Sequence, residues 1–142
     1  MTTAKHGGLR VVLDSNVYVS AFIYPQGLPF WIWRQALKRR YQLLVSPAIV
    51  GEVGGVPRVK FGWDNPHIIS RLKLLTKAAS LVTPTVTLTQ IEEDDDDNRI
   101  LECAGAGHAD LIVSSDRHLR RLKAFQGIGI VHPIDFRRTL GQ

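Results

Sequence analysis

Cysteine, methionine and long apolar runs are what this sequence lacks. Its 142 residues hold one Cys, Cys103, and one Met. A single thiol closes no internal disulfide, which excludes the small secreted scaffolds that such bridges support. The apolar stretches are short and broken by charge, so no transmembrane helix is expected. Residues 1–8 carry no apolar core of the kind a signal peptide needs and read as a flexible lead. With neither an export nor a membrane signal, a cytoplasmic location is expected. No group of Cys and His has ligand spacing, which argues against zinc. Neither Gly54-Gly55 nor Gly105 with Gly107 matches a phosphate-cradling loop, which argues against nucleotide binding. Repeats and low-complexity linkers are missing too, so residues 9–142 are expected to form one domain with one core.

Charge is abundant and uneven. Lys and Arg outnumber Asp and Glu by 18 to 13, for a net charge of +5. The bases gather at Arg34, Lys38, Arg39 and Arg40, at Arg58 and Lys60, at Arg117, Arg120, Arg121 and Lys123, and at Arg137 and Arg138. Such patches favour polyanionic partners. The acids collect in one unbroken run, Glu92 to Asp97. Read alone, that run is a solvated charge cluster at a helix N-terminus. Its alternative use is to lend a carboxylate to a divalent cation.

Residues 9–13 are apolar and β-branched, as a buried strand requires, and stop at Asp14-Ser15-Asn16, which suits a helix cap. A short helix is expected over residues 17–23, broken by Pro25-Gln26-Gly27. Phe30, Ile32, Trp33, Ala36 and Leu37 then fall at helical spacing. Residues 41–45 read as a second strand. Ser46-Pro47 starts a helix through Glu52 that Gly54-Gly55 and Pro57 are expected to end early or loosen. Ile68, Ile69, Leu72, Leu75, Ala78 and Ala79 mark an amphipathic helix, followed by a short third strand at 80–82 and a polar connector at 84–90. A helix at 98–107, a strand at 110–113, a basic helix at 117–124, a fifth strand at 127–131 and a last helix from Pro133 complete the chain. Strands alternating with helices predict an α/β fold: a three-layer α/β/α sandwich with a five-stranded, mainly parallel central sheet.

In a parallel sheet, functional groups gather at the C-terminal ends of the strands. Asp14 follows the first strand, Asp116 follows the fourth, Asp97 opens the helix leading into the fourth, and Glu52 lies in the helix after the second. Four acids from four segments are therefore expected at one edge. An all-carboxylate set is hard-ligand chemistry suited to Mg²⁺ or Mn²⁺. Two such ions about 3.5–4 Å apart can clamp a phosphoryl group and activate water, which is phosphodiester hydrolysis. Within the acidic run, Glu92 to Asp95 read as loop charges, Asp96 as a neighbour of the site, and Asp97 as the residue that carries chemistry.

The segments Val11-Val12-Leu13-Asp14-Ser15-Asn16-Val17, Ser46-Pro47 with Glu52-Val53, Asp97-Asn98-Arg99-Ile100-Leu101-Glu102-Cys103-Ala104, and Ala109-Asp110-Leu111-Ile112-Val113-Ser114-Ser115-Asp116 resemble the PIN-domain family. The likeness is to the toxin components of prokaryotic toxin–antitoxin pairs and spans residues 10–140. It implies the α/β/α fold and an endoribonuclease dependent on one or two Mg²⁺ or Mn²⁺ ions. It assigns Asp14, Glu52, Asp97 and Asp116 to the acidic centre, with Asp14 and Asp97 as direct ligands, Asp116 as ligand to a second ion, and Glu52 as a ligand or water-orienting group. Asn16 and Ser115 would steady carboxylates or water, and Arg117, Arg120 and Arg121 are candidates to contact the RNA backbone. In-line attack of water on phosphorus would leave a 5′-phosphate and a 3′-hydroxyl. RNA, a cognate antitoxin and a second copy of the chain are the partners implied.

The chain departs from the family pattern twice. The glycines and proline after Glu52 interrupt a helix that relatives continue, and His118 stands where many relatives carry a further acid; it reads as a surface residue. Trp31, Trp33 and Trp63 are candidates to stack on bases, although Trp33 has core spacing. Cys103 reads as core. Two other functions remain in view: a PIN-like module that binds RNA or a partner without catalysis, and a haloacid-dehalogenase-type phosphatase. The latter needs an acid where this chain has Asn16.

Overall fold

A computed structural model describes residues 8–62, 64–92 and 94–141. The expected lead, apart from Gly8, lies outside the described residues, as do Trp63 and Glu93. The strands are β1 (Arg10–Leu13), β2 (Gln42–Val45), β3 (Ala79–Leu81), β4 (Leu111–Val113), β5 (Ala124–Phe125) and β6 (Ile128–Val131). The helices are α1 (Ser15–Ile23), α2 (Leu28–Leu37), α3 (Pro47–Phe61), α4 (Asn65–Ala78), α5 (Asp95–Ala106), α6 (Arg117–Arg120) and α7 (Pro133–Thr139).

The strands form one sheet in the order β3-β2-β1-β4-β6-β5, parallel throughout except where β5 meets β6. Val11, Val12 and Leu13 on β1 and Ile112 and Val113 on β4 are all fully buried. Apolar runs without alternation mark strands covered on both faces, which is why these two sit at the centre. Helix α5 packs on β1, β2 and β4. The crossover through α1 and α2 runs from β1 out to β2, whereas α5 carries the chain back from β3 to β4. Right-handed connections place these helices on opposite faces of the sheet. Tyr18 and Phe22 of α1 meet Trp33 of α2 edge-on at centroid distances of 6.1 and 5.3 Å. Trp33 is thus spent in the core and presents no face to a base. On the same side, Phe136 of α7 stands edge-on to Tyr41 at 5.1 Å.

Three elements differ from the sequence expectation. The sheet has six strands rather than five, because the basic helix stops at Arg120 and the chain turns into β5. Gln126 and Gly127, with φ of 51° and 79°, form a two-residue hairpin turn between β5 and β6. Positive φ at both central positions matches the twist of antiparallel strands. Helix α3 runs unbroken through Gly54, Gly55 and Pro57. Each glycine costs about 1 kcal/mol in a helix interior, but α3 packs against both α1 and α4. At Gly54 a Cβ would come within 3.2 Å of Leu72 Cδ1, so its absence lets α4 approach. Lastly, α5 begins at Asp95 instead of Asn98, with Asp94 as its cap. Acids in a first turn are stabilised by the helix dipole, and the expected loop charges therefore extend the helix.

Candidate metal centre

Strand order reverses between β1 and β4: from β1 the chain moves towards β2, and from β4 it moves towards β6. A crevice forms at the carboxyl ends of strands flanking such a reversal. Asp14 enters it directly from β1, and Ser114 and Asp116 enter it from the end of β4. The strand ends are laced together, with Asp14 N–H donating to Val113 O and Ser114 N–H to Val131 O, each at 3.0 Å.

Asp14 is buried, yet its side chain makes no capping bond to α1. Instead Oδ2 accepts from Ser114 Oγ at 2.7 Å. The same Ser114 oxygen accepts the Asp116 N–H at 2.9 Å. One fully buried serine therefore ties the first acid to the backbone of the last. Burial raises the pKa of Asp14, the Ser114 hydroxyl and the N–H groups of Asn16 and Ser15 oppose that rise, and the Asp116 charge adds to it. Asp116 Oδ1 caps α6 by accepting from His118 N–H at 2.7 Å and Leu119 N–H at 3.3 Å.

Asp97 lies in the first turn of α5 and is 4% exposed. Its position is set by Asn98. Asn98 Oδ1 accepts the Ile91 N–H at 2.8 Å and Nδ2 donates to Ile91 O at 2.6 Å, so a buried amide clasps the segment before the helix. Two residues of α5 reinforce the clasp: Glu102 accepts from Leu88 N–H at 2.7 Å, and Arg99 donates to Leu88 O at 3.0 Å while pairing with Glu102 at 2.8 Å. Asp97 Oδ2 is sealed from solvent and has no hydrogen-bond partner. Burial first, then the charges of Asp116, Asp94 and Asp14, raise its pKa from 3.8 to about 8.

Glu52 faces the same crevice from α3. Burial and the neighbouring Asp96 raise its pKa from 4.5 to about 7, Asp14 adds to the shift, and Ser15 opposes it. The Ser15 hydroxyl that opposes it is itself buried. The acids thus form a chain of neighbours: Glu52 beside Asp96 and Asp14, Asp14 beside Asp116, Asp116 beside Asp97. Donor atoms of Asp97, Asp116 and His118 lie within 4.8 Å of one another. Asn16 and Ser115 turn their side chains to solvent, so the polar contacts to Asp14 come from Ser114 and the backbone. Arg117, Arg120 and Arg121 are exposed at the same end of the molecule. Sequence reasoning passed over Ser114 and treated His118 as surface. The former hides beside an equivalent serine, and the latter could have been found as a first-turn residue of a helix capped by Asp116. Cys103 is fully buried in α5, away from the crevice, and burial pushes its thiol up to about 12.

Carboxylates that repel one another, around a solvent-shielded oxygen with nothing to bind, are what a cation would relieve. The donor set fits a divalent ion.

The fold is shared with solved structures: VapBC2 from Rickettsia felis bound to a DNA fragment from their promoter (TM-score 0.62, 15% identity, 87% of this chain and 98% of that one) and PAE2754 from Pyrobaculum aerophilum (TM-score 0.59, 15% identity, 98% of both chains). An uncharacterized protein of Methanocaldococcus jannaschii is 27% identical over 118 residues, which is 81% of this chain and 76% of that protein. The family model of the PIN domain matches residues 10–118, which takes in all four acids. The chain belongs to the PIN-domain family.

Proposed function

We propose that this PIN domain is a Mg²⁺- or Mn²⁺-dependent endoribonuclease and the toxin of a type II toxin–antitoxin pair, acting in the cytoplasm as a homodimer until its antitoxin covers the site. The observation that carries the reading is the sealed, unpartnered Oδ2 of Asp97 beside Asp14 and Asp116, which come from two other segments, and Asp94 at its own helix cap. Asp14, Asp97 and Asp116 are the metal-holding residues, and Glu52 completes the acidic set. A divalent ion held there eases ionisation of water and neutralises charge on a phosphodiester. Ser114 fixes the Asp14 carboxylate, and the Asn98 clasp fixes Asp97. Arg117, Arg120 and Arg121 offer cations to the RNA backbone at the same end, which favours binding without reading bases. Membership of the family and the fold shared with VapBC2 support the toxin assignment. Helix α3 keeps Glu52 inside a continuous helix, which removes the feature that favoured a lapsed, purely binding module.

The test is cleavage of mixed RNA with Mn²⁺ by the wild type, Asp14→Asn and Asp97→Asn. Wild-type cleavage that needs the cation should fall about 100-fold or more in each variant, as loss of a ligand implies. Equal cleavage by all three proteins would point to a contaminant and end the assignment.

A further inference from the structure

His118, read from the sequence as a surface residue, stands beside two of the acids. It stands in α6 two residues beyond Asp116, with a side chain 26% exposed and Nδ1 3.9 Å from Asp116 Oδ1. That separation is too long for a hydrogen bond, and Asp116 Oδ1 is already engaged by two backbone N–H groups. No hydrogen bond engages the His118 ring among the described residues. The ring nevertheless offers a nitrogen within 4.8 Å of the donor oxygens of Asp97 and Asp116. The Oδ2 of Asp97, buried and unpartnered, is the independent sign that a ligand belongs at this spot.

We propose that His118 is a nitrogen ligand to the cation held by Asp97 and Asp116, and that it biases the centre towards a first-row transition ion, with Mn²⁺ as the probe, over Mg²⁺. The inference rests on the reading of these acids as a metal site. Mg²⁺ prefers oxygen donors and retains its waters, whereas first-row transition ions also accept imidazole, Mn²⁺ least strongly among them, so Mn²⁺ is the most demanding probe of the bias. A centre of carboxylates alone would draw little distinction between Mg²⁺ and Mn²⁺; replacing one acid by imidazole introduces one.

The experiment uses the full chain, stripped with chelator and titrated calorimetrically with Mn²⁺ or Mg²⁺, together with pulsed electron paramagnetic resonance of the Mn²⁺ form. The wild type should show nitrogen-14 modulation from a directly bound imidazole. His118→Ala should abolish that signal and weaken Mn²⁺ binding about tenfold or more while changing Mg²⁺ binding little. His118→Asp, which restores an oxygen donor, should narrow the gap between the two ions. Mn²⁺ binding without a nitrogen signal, or of equal strength in His118→Ala, overturns the role of His118 and leaves the acid centre standing. A wild type that binds neither ion overturns both. Should His118→Ala fail to fold, the nitrogen signal of the wild type decides alone.

Discussion

At the scale of single residues, the centre depends on groups that hold the acids as much as on the acids themselves. Ser114 is the clearest case, because its one oxygen donates to Asp14 and accepts from Asp116. Ser114→Ala leaves the Asp14 carboxylate short of its only side-chain donor among the described residues. Cleavage and cation affinity should each fall by about 10- to 100-fold, the usual cost of losing a group that orients a ligand. Titration calorimetry and RNA cleavage check this, and a fall in thermal stability without any loss of affinity would count against it. Asp14, Asp97 and Asp116 were legible because each sits at the end of an apolar run or the start of a helix, where the topology fixes its edge. Ser114 was not, since Ser114 and Ser115 are alike in sequence and only the strand register turns one inward and the other out. The nearness of His118 to Asp97 and Asp116 was hidden as well, because a lone histidine carries no spacing that ties it to distant acids.

At the scale of elements, the connection between β3 and α5 is a positioned part rather than a polar link. Asn98 gives Ile91 both a donor and an acceptor, and both residues are buried. Asn98→Ala strands that N–H and C=O in the interior, which should cost about 1–3 kcal/mol for each group left unpaired. Urea denaturation of wild type and variant measures it; a change within the error of the wild type would show that water or a shifted backbone replaces the amide. Central elements were readable from pattern alone: β1 and β4 are uninterrupted apolar runs, and α4 has a clear helical face. Short or overridden elements were not. Strand β5 has two residues, too few for any alternation, and α3 survives two glycines and a proline because its neighbours, unseen in a linear reading, hold it in place.

At the scale of the whole molecule, the acid centre makes folding depend on pH. Asp97 moves from 3.8 to about 8 and Glu52 from 4.5 to about 7. The folded chain therefore binds these protons more tightly than the unfolded chain does. Their stabilising contribution is complete below the ordinary values and is lost as pH rises through the folded ones. The metal-free protein should lose stability as pH climbs across that window, and saturating Mn²⁺ should reverse the trend, because a ligand that binds only the folded state stabilises it. Melting curves in chelator and in Mn²⁺ across the window test both statements. Asp97→Asn should flatten the upper part of the chelator series, and an unchanged slope would mean that the proton sits elsewhere.

The lopsided arrangement of charge has one more consequence. A chain of net charge +5 gathers many of its acids at the crevice where a phosphodiester has to approach most closely. Without a cation the surroundings attract a polyanion while the crevice repels it. On the function proposed above, filling the crevice discharges it, so cation and RNA favour each other's binding. Linkage requires the effect to be reciprocal: whatever factor the cation adds to RNA affinity, RNA must add to cation affinity. Paired titrations with an uncleavable RNA analogue read both factors, and unequal values would show that the two ligands do not meet at one site. The acidic run, placed in a basic chain, thereby makes the cation a condition for close contact as well as for cleavage.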